Sequence, residues 1–209
     1  DRVVAYKAVA DQAETRLDLS AYLVLRNFSG EDFDQVTIVL DHGTPFTAAT
    51  RHEETKRLLF ARTHAVPLTK TLVWDAATMP HEPDKLETTV GIPVDYTFKN
   101  SRDNNLGTHI LAPGKARVYQ QDGQGSTIFL GEDTLSMTPV GETAELTLSE
   151  SRDVSVARHR METKRINVRK NNKGQIQLYD EAIRDKIQLH NFKNKPEVIK
   201  IIDHIEGEW

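Results

Sequence analysis

The sequence predicts an all-β protein built of antiparallel strands in two sandwich-like lobes, and three observations carry that expectation. Val, Ile and Thr supply 48 of the 209 residues, and their branched side chains suit a pleated, half-buried surface. Apolar residues recur mainly with a period of two, as in strands with one buried face, rather than in helical stripes. These runs are short and divided by Gly, Pro, Asn and Asp, the pattern of a sandwich rather than of a parallel α/β sheet.

Residues 2–10 read as the first strand and residues 15–27 as a longer second one. In the second, Leu17, Leu19, Ala21, Leu23 and Leu25 share one face, and Asp18, Ser20, Tyr22, Val24 and Arg26 the other. A turn at 28–32 follows, where Gly30 supplies conformational freedom and Glu31 and Asp32 stay in water. Val36, Ile38 and Leu40 then alternate with Thr37, Val39 and Asp41 until His42-Gly43-Thr44-Pro45 ends the strand. Residues 46–57 carry no apolar stripe to dock a helix; a loop or irregular edge is favoured there, with a short helix as the alternative. Strand character resumes over 58–66 and 69–74, around Pro67, which lacks a ladder donor and belongs at a bulge, an edge or a bend.

The polar stretch Asp75–Asp84 is broken by Pro80 and Pro83. It is the best linker candidate and divides the chain into an N-terminal β domain, 1–80, and a C-terminal β-sandwich domain, 81–209. A long crossover between the two sheets of one sandwich is the other reading. Beyond it, residues 85–100 read as a strand in which Val90, Ile92, Val94, Tyr96 and Phe98 form an alternating set, and residues 101–107 read as a loop. Pro113-Gly114 leads into a strand over 115–120, with Ala116 and Val118 facing one way. Asp122-Gly123-Gln124-Gly125 then gives the strongest hairpin signal, returning the chain over 126–130. Short strands are expected at 134–138 and 143–149 on either side of Pro139-Val140-Gly141, with Ala144, Leu146 and Leu148 buried. Strands at 154–161 and 164–170 precede the turn Asn171–Gly174. The last pair, 182–192 and 197–205, is expected to form a hairpin through Lys193-Asn194-Lys195-Pro196; its first strand can extend back to Gln175, with an interruption near Asp180.

Composition closes several routes to function. The chain has no Cys, which removes disulfides, Cys-ligated zinc, iron–sulfur clusters and thiol catalysis. A net charge of −4 opposes nucleic acid on average, and no apolar run approaches the ~20 residues that a helical span requires. The chain starts at Asp1 without a start Met or a leader, as a processed or excised chain would. Asp41 with His42, Asp203 with His204, and the run His52, Glu53 and Glu54 are the local groupings with metal-ligand chemistry. Adjacent strand residues point to opposite faces, so solvation or capping is expected and no metal, cofactor or catalytic residue is assigned. Gly125-Ser126 lacks the nucleophile-elbow context. Neither Asp122–Gly125 nor Arg102–Asn105 spaces its oxygens as a calcium loop does, and no Gly-rich phosphate loop is present.

Charge is concentrated over Arg158, His159, Arg160, Lys164, Arg165, Arg169, Lys170 and Lys173, with Glu162 alone opposing. The solvated face of a hairpin is the favoured reading; a ribbon meeting an acidic polymer or lipid head groups is the sharper one. Aromatic residues that could stack on bases are missing there. Trp74 and Trp209 stand at strand ends, either plugging a core or marking a rim.

The order of motifs resembles a known family. Tyr22–Asn27 and Ser29–Leu40 resemble the "N-x-(S/T)-G-E-D-W-x-x-V-x-L-x-L" stretch of a bacterial family of domains of unknown function, numbered 4139 and related to mucoidy inhibitor A. Phe33 stands where that family has Trp. Leu111–Tyr119 resembles its "L-P-x-G-x-V-x-V-Y" segment, and the likeness continues through Phe129–Asp133, Thr138–Glu142 and Arg152–Val156. Ile187–Val198 resembles its "V-x-N-x-K-x-x-P-V" strand pair. The likeness covers most of the chain from Tyr22 and fits best from Pro93 to Trp209. It implies architecture but no catalytic or ligand residues. Phe33 is accordingly expected as a buried anchor beneath Val36–Leu40, and Asn27-Phe28-Ser29, which fits a glycosylation acceptor, as a chance match. Relatives continue for one or two strands past the Trp209 position, and without those strands the last sheet has an open edge.

The expected function is a non-enzymatic structural or protein-interaction module, periplasmic or at the cell surface in the bacterial envelope. Its partner is a protein or a second copy paired through a C-terminal edge strand, with no nucleic acid and no membrane span. A carbohydrate- or polymer-binding module is the alternative. Immunoglobulin-like lobes would suit either.

Overall fold

The computed structural model describes residues 1–39, 45–79, 87–89 and 91–204. The strands in chain order are β1 (Arg2–Ala10), β2 (Arg16–Arg26), β3 (Phe33–Ile38), β4 (Phe46–Thr50), β5 (Thr55–Pro67), β6 (Thr69–Asp75) and β7 (Glu87–Thr89). They continue with β8 (Ile92–Lys99), β9 (Gly114–Gln121), β10 (Thr127–Leu135), β11 (Thr143–Ser151), β12 (Val154–Lys170), β13 (Ile176–Asn191) and β14 (Ile199–Ile202). The fold is all-β, in sandwich-like lobes whose sheets do not close into a barrel. Two compact units share the chain, and neither is continuous: residues 1–71 with 94–149 form one, and 72–93 with 150–209 the other. The boundary drawn at residue 80 from composition therefore falls inside a segment of the second unit, and the chain re-enters the first unit at Val94.

The first unit is built on a five-stranded sheet in the order β10-β9-β1-β2-β5. Its central strand β1 runs antiparallel to β2, with Tyr6 opposite Ala21 and Ala8 opposite Leu19. On its other side β1 runs parallel to β9, with Tyr6 opposite Ala116 and Ala8 opposite Val118. All these side chains lie on one face and are buried, together with Leu17 and Leu23, so the alternation read in the sequence marks the core face. The parallel pairing departs from the purely antiparallel expectation. It brings the backbones so close at the start of β9 that a β-carbon on Gly114 would collide with the Val4 carbonyl. Pro67 ends β5, an outer strand of this sheet, where its missing donor costs nothing.

Neighbouring strands β8 and β11 supply another apolar surface of this unit: Val94, Tyr96 and Phe98 from one and Ala144, Leu146 and Leu148 from the other. Tyr96 Oη donates to Glu14 Oε1 at 2.6 Å, and Lys70 Nζ pairs with Glu14 Oε2 at 2.7 Å. A buried carboxylate is thereby neutralised and hydrogen-bonded, the condition on which charge enters a core. The chain after β9 returns as one strand, β10, with a bulge beside Gly131. The separate strand expected at 134–138 is instead the end of β10 followed by a single bridge from Thr138 to Leu111.

Two expectations for the N-terminal half are corrected. Residues 46–57 are not a loop: β4 pairs with β3, with Val36 opposite Ala48 and Ile38 opposite Phe46, and the chain turns at Arg51–Glu54 into β5. The charged residues that masked the strand are confined to that turn and to the start of β5. Phe33 is not a buried anchor either, being 38% exposed. It opens a two-stranded sheet in which Ile38 is the one residue of β3 to be buried. Residues 40–44, where the sequence places the end of that strand, lie outside the described residues, as do 80–86, Val90 and 205–209.

In the second unit, β12 lies between β13 and β7, antiparallel to both. The segments 154–161 and 164–170, expected as two strands, are one strand of 17 residues, and β13 runs from Ile176 without a break at Asp180. The C-terminal hairpin of 182–192 with 197–205 does not form. β13 returns along β12, and β14 instead runs parallel to β6, with Ile199 opposite Leu72 and Ile201 opposite Trp74. Where the chain leaves the sheet, the Lys193 ammonium reaches Glu197 at 3.1 Å and Asp153 at 3.4 Å. Burial opposes that charge, but the two carboxylates outweigh it and raise the Lys193 pKa. Among the described residues no helix is long and apolar enough to cross a membrane.

Candidate interaction surface

Beyond its first residues, the antiparallel pair β12–β13 has no core to cover. Val154, Ser155, Val156, Ala157 and Arg158 are buried, but every residue from Met161 to Arg184 except Asn171 is exposed. About ten residues of each strand, roughly 30 Å at 3.3 Å per residue, thus form a ribbon with both faces in solvent. Its tip is fixed locally: Asn171 Oδ1 accepts from the N–H groups of Lys173 and Gln175 at 2.9 and 3.0 Å, and Gly174 takes a positive φ of 78°.

Ionic contacts fix its base. Arg158 Nε donates to Asp185 Oδ2 at 2.8 Å, and its Nη2 makes a closer contact with the same oxygen. Arg160 Nε reaches Asp185 Oδ1 at 3.2 Å, and Arg158 Nη1 lies 3.1 Å from Asp203. Burial opposes ionisation of Asp185, but the hydrogen bonds from Arg158 and Arg160 outweigh it and hold the carboxyl below its usual range. Farther out, Arg184 pairs with Glu162 at 2.7 Å, Asn167 Nδ2 donates to Asp180 at 2.6 Å, and the Arg165 guanidinium lies 4.4 Å from the centre of the Tyr179 ring.

The strand register sorts the ribbon's side chains into two faces. Arg158 is opposite Ile187, Arg160 opposite Asp185, and Thr163 opposite Ile183, whereas His159 is opposite Lys186, Glu162 opposite Arg184, and Ile166 opposite Asp180. Tyr179, Ile183, Ile187 and Leu189 consequently share one face of β13, all of them exposed. The basic run singled out in the sequence lies chiefly on β12, which carries six Arg and Lys against one Glu. β13 carries three acidic residues against two basic ones. β13 is also the outer strand of its sheet. The register shifts at Arg160/Glu162 place the extra residue, Met161, on β12, and β13 is unbroken from Asp180 to Asn191.

The other residues picked out in the sequence have local roles. His52 Nδ1 accepts from the Gly30 N–H at 3.0 Å, while Glu54 accepts from the Arg51 N–H at 2.8 Å. His204 Nε2 lies 2.7 Å from Asp75 Oδ1, whereas Asp203 faces Arg158. Among the described residues no three His, Asp or Glu side chains converge as metal ligands would. Asp41 and His42 lie outside the described residues. Asp122 Oδ1 accepts from the N–H groups of Gln124 and Ser126 at 2.8 and 2.9 Å, which fixes the β9–β10 turn. Arg102–Asn104 is a single 3-10 turn. Asn27 is buried, its amide donating to the Glu31 carbonyl at 2.8 Å, and Trp74 is buried as well; Trp209 lies outside the described residues.

A cavity of about 830 Å³ opens in the first unit, lined by Arg2, Arg26, Arg57, Lys115 and Arg117 around Tyr6, with no Asp, Glu or His in its wall among the described residues. Its cations are already engaged: Lys115 and Arg117 with Glu132 at 2.7 and 3.3 Å, Arg57 stacked 3.8 Å from the centre of the Tyr22 ring, Arg26 with Asp1 at 3.9 Å, and Arg2 with the Val39 carbonyl at 3.3 Å. Burial pushes the Tyr6 hydroxyl up to about 12, far from the range of a general acid or base at neutral pH. Tyr119 lies under Lys7 and packs edge-on against Phe129. The sequence did not point to the ribbon's length, to Asn100 or to the Glu14–Lys70–Tyr96 group. The evenly spaced Tyr179, Ile183 and Ile187 were the available sign of the first. Comparison with family models, curated proteins and solved structures finds no match to this chain.

Proposed function

We propose that the chain is a non-enzymatic protein-interaction module whose docking element is the β12–β13 ribbon. The observation that supports this reading is the exposure of both ribbon faces from Met161 to Arg184. A two-stranded ribbon without a buried face is marginal in water, so a ribbon of this length gains its stability from what it meets. The apolar residues on β13 and the cations on β12 provide two kinds of contact. The bacterial envelope is proposed as its location on the motif resemblance alone, to the bacterial family of domains of unknown function related to mucoidy inhibitor A.

The test is excision. Residues 161–184 are replaced by Asn-Gly, which joins the cross-strand neighbours Arg160 and Asp185 in a two-residue hairpin. Stability to denaturant in dilute solution should change by less than about 1 kcal/mol, the usual range for surface changes. A larger loss would make the ribbon a strut of the fold and overturn the proposal.

A further inference from the structure

We infer that the partner of the ribbon is a second copy of this chain, joined β13 to β13 in antiparallel register about Ile183; this deepens the docking reading above and rests on it. The outer edge of β13 has no strand beside it among the described residues. Edges are ordinarily guarded by Pro, by bulges or by free charges, Lys above all; here Asp180, Arg184 and Asp185 are engaged within the ribbon by Asn167, Glu162 and the pair Arg158 and Arg160. Between Asp180 and Asn191 there is no Pro and no Gly, the strand is regular, and the single Lys is Lys186.

The sequence of β13 is complementary to itself about that point. A two-fold axis through Ile183 places residues whose numbers lie equally far on either side of 183 opposite each other, and it preserves faces. On one face Ile183 then meets its own copy, and Tyr179 meets Ile187 twice. The three side chains are 47%, 39% and 37% exposed in the single chain, so each has area to lose. On the other face Asp180 meets Lys186 twice, and the small Ala182 leaves room for Arg184. The like-charged meeting is Glu181 with Asp185, which also occurs twice and lies on the face of Ile183. There Asp185 is held by Arg158 and Arg160, and Glu181 lies opposite Arg165 in its own ribbon. A one-residue slip would put apolar residues of one copy on the polar face of the other. Moving the axis to Ala182 or Arg184 separates Ile183 from its copy and Asp180 from Lys186. The result is one isologous sheet, β7-β12-β13 continued by its symmetry mate.

Sedimentation of the full chain over a concentration series reads the association. The expected result is a reversible monomer–dimer equilibrium. Ile183→Lys, which sets two like charges opposite each other at the axis, should weaken it at least about tenfold while leaving the melting curve unchanged at dilutions where both proteins are monomers, because the side chain is exposed in the single chain. Asp180→Lys and Lys186→Asp should each weaken self-association, and an equimolar mixture of the two single variants should restore it, since every 180–186 contact between the two is then oppositely charged. A chain that stays monomeric at every concentration would overturn self-pairing. So would a dimer insensitive to I183K, or a mixture no tighter than its components. The docking reading itself is decided by excision of residues 161–184, so the two failures are distinguishable.

Discussion

Asn100 is a fully buried polar side chain that bonds to residues of two loops. Its Nδ2 donates to the carbonyls of His109, Thr138 and Pro139 at 3.0, 3.0 and 3.2 Å, and its Oδ1 accepts from the Gly107 N–H at 2.8 Å. Its main chain pairs with Gly141 and Glu142. One residue thus ties two irregular segments to the end of β8, and Asn suits it because a single amide both donates and accepts. Asn100→Ala leaves several of these groups without a partner and should cost about 2 to 4 kcal/mol in denaturant titration. Phe33→Ala should cost less than about 1 kcal/mol, because its ring is already in contact with water. The larger residue is expected to matter less, and a reversed order would mean that the ring of Phe33 is covered in solution.

At the scale of elements, the ribbon's attachment depends on Asp185. Breaking a buried ion pair leaves an unpaired charge, at a typical cost of 3 to 5 kcal/mol. Asp203 remains beside Arg158, so Asp185→Asn should cost roughly 3 kcal/mol at neutral pH, at the low end of that range. The carboxyl's pKa is lowered in the folded chain. Its contribution is therefore complete above the unfolded value, about 3.9, and is lost as pH falls through the folded one. Denaturant titrations of both proteins from neutral pH downward should show the gap between them closing in acid. A gap independent of pH would mean that Asp185 does not act through its charge. The strands legible in the sequence are those with one buried face: β1, β2, β9 and β11 are found where the sequence placed them, whereas the run read as one strand over 85–100 is divided between β7 and β8, which lie in different sheets. The ribbon was not legible as one element, because with neither face buried nothing selects an alternating pattern, and its bulges at Met161 and near Asn167 resemble strand breaks. The pairing of β14 with β6 was illegible for another reason, since a run of four residues does not encode which distant edge it joins.

For the whole molecule, the main consequence is that chain order and spatial order differ. β1 holds the centre of its sheet only because β9, more than a hundred residues later, runs parallel to it, and β10 completes the sheet beyond β9. Contacts so distant in sequence make folding slow, because loop closure precedes any reward. They also decide what a fragment can do. A chain ending at residue 80, the boundary that composition suggests, keeps β1, β2 and β5 but lacks β9 and β10. One edge of β1 is then bare, and Tyr6, Ala8 and Ala10 lose Ala116 and Val118 from their face. It also lacks Tyr96, so Glu14 keeps Lys70 but loses a buried hydroxyl donor. Such a fragment should show no cooperative unfolding transition by circular dichroism or denaturant titration, and it should aggregate through its open edge. Supplying residues 94–149 as a separate chain should restore a transition, because together the two pieces hold every strand of the first unit. A residue 1–80 fragment that unfolds cooperatively alone would show that the linear division was sound and that the β1–β9 pairing adds little to stability.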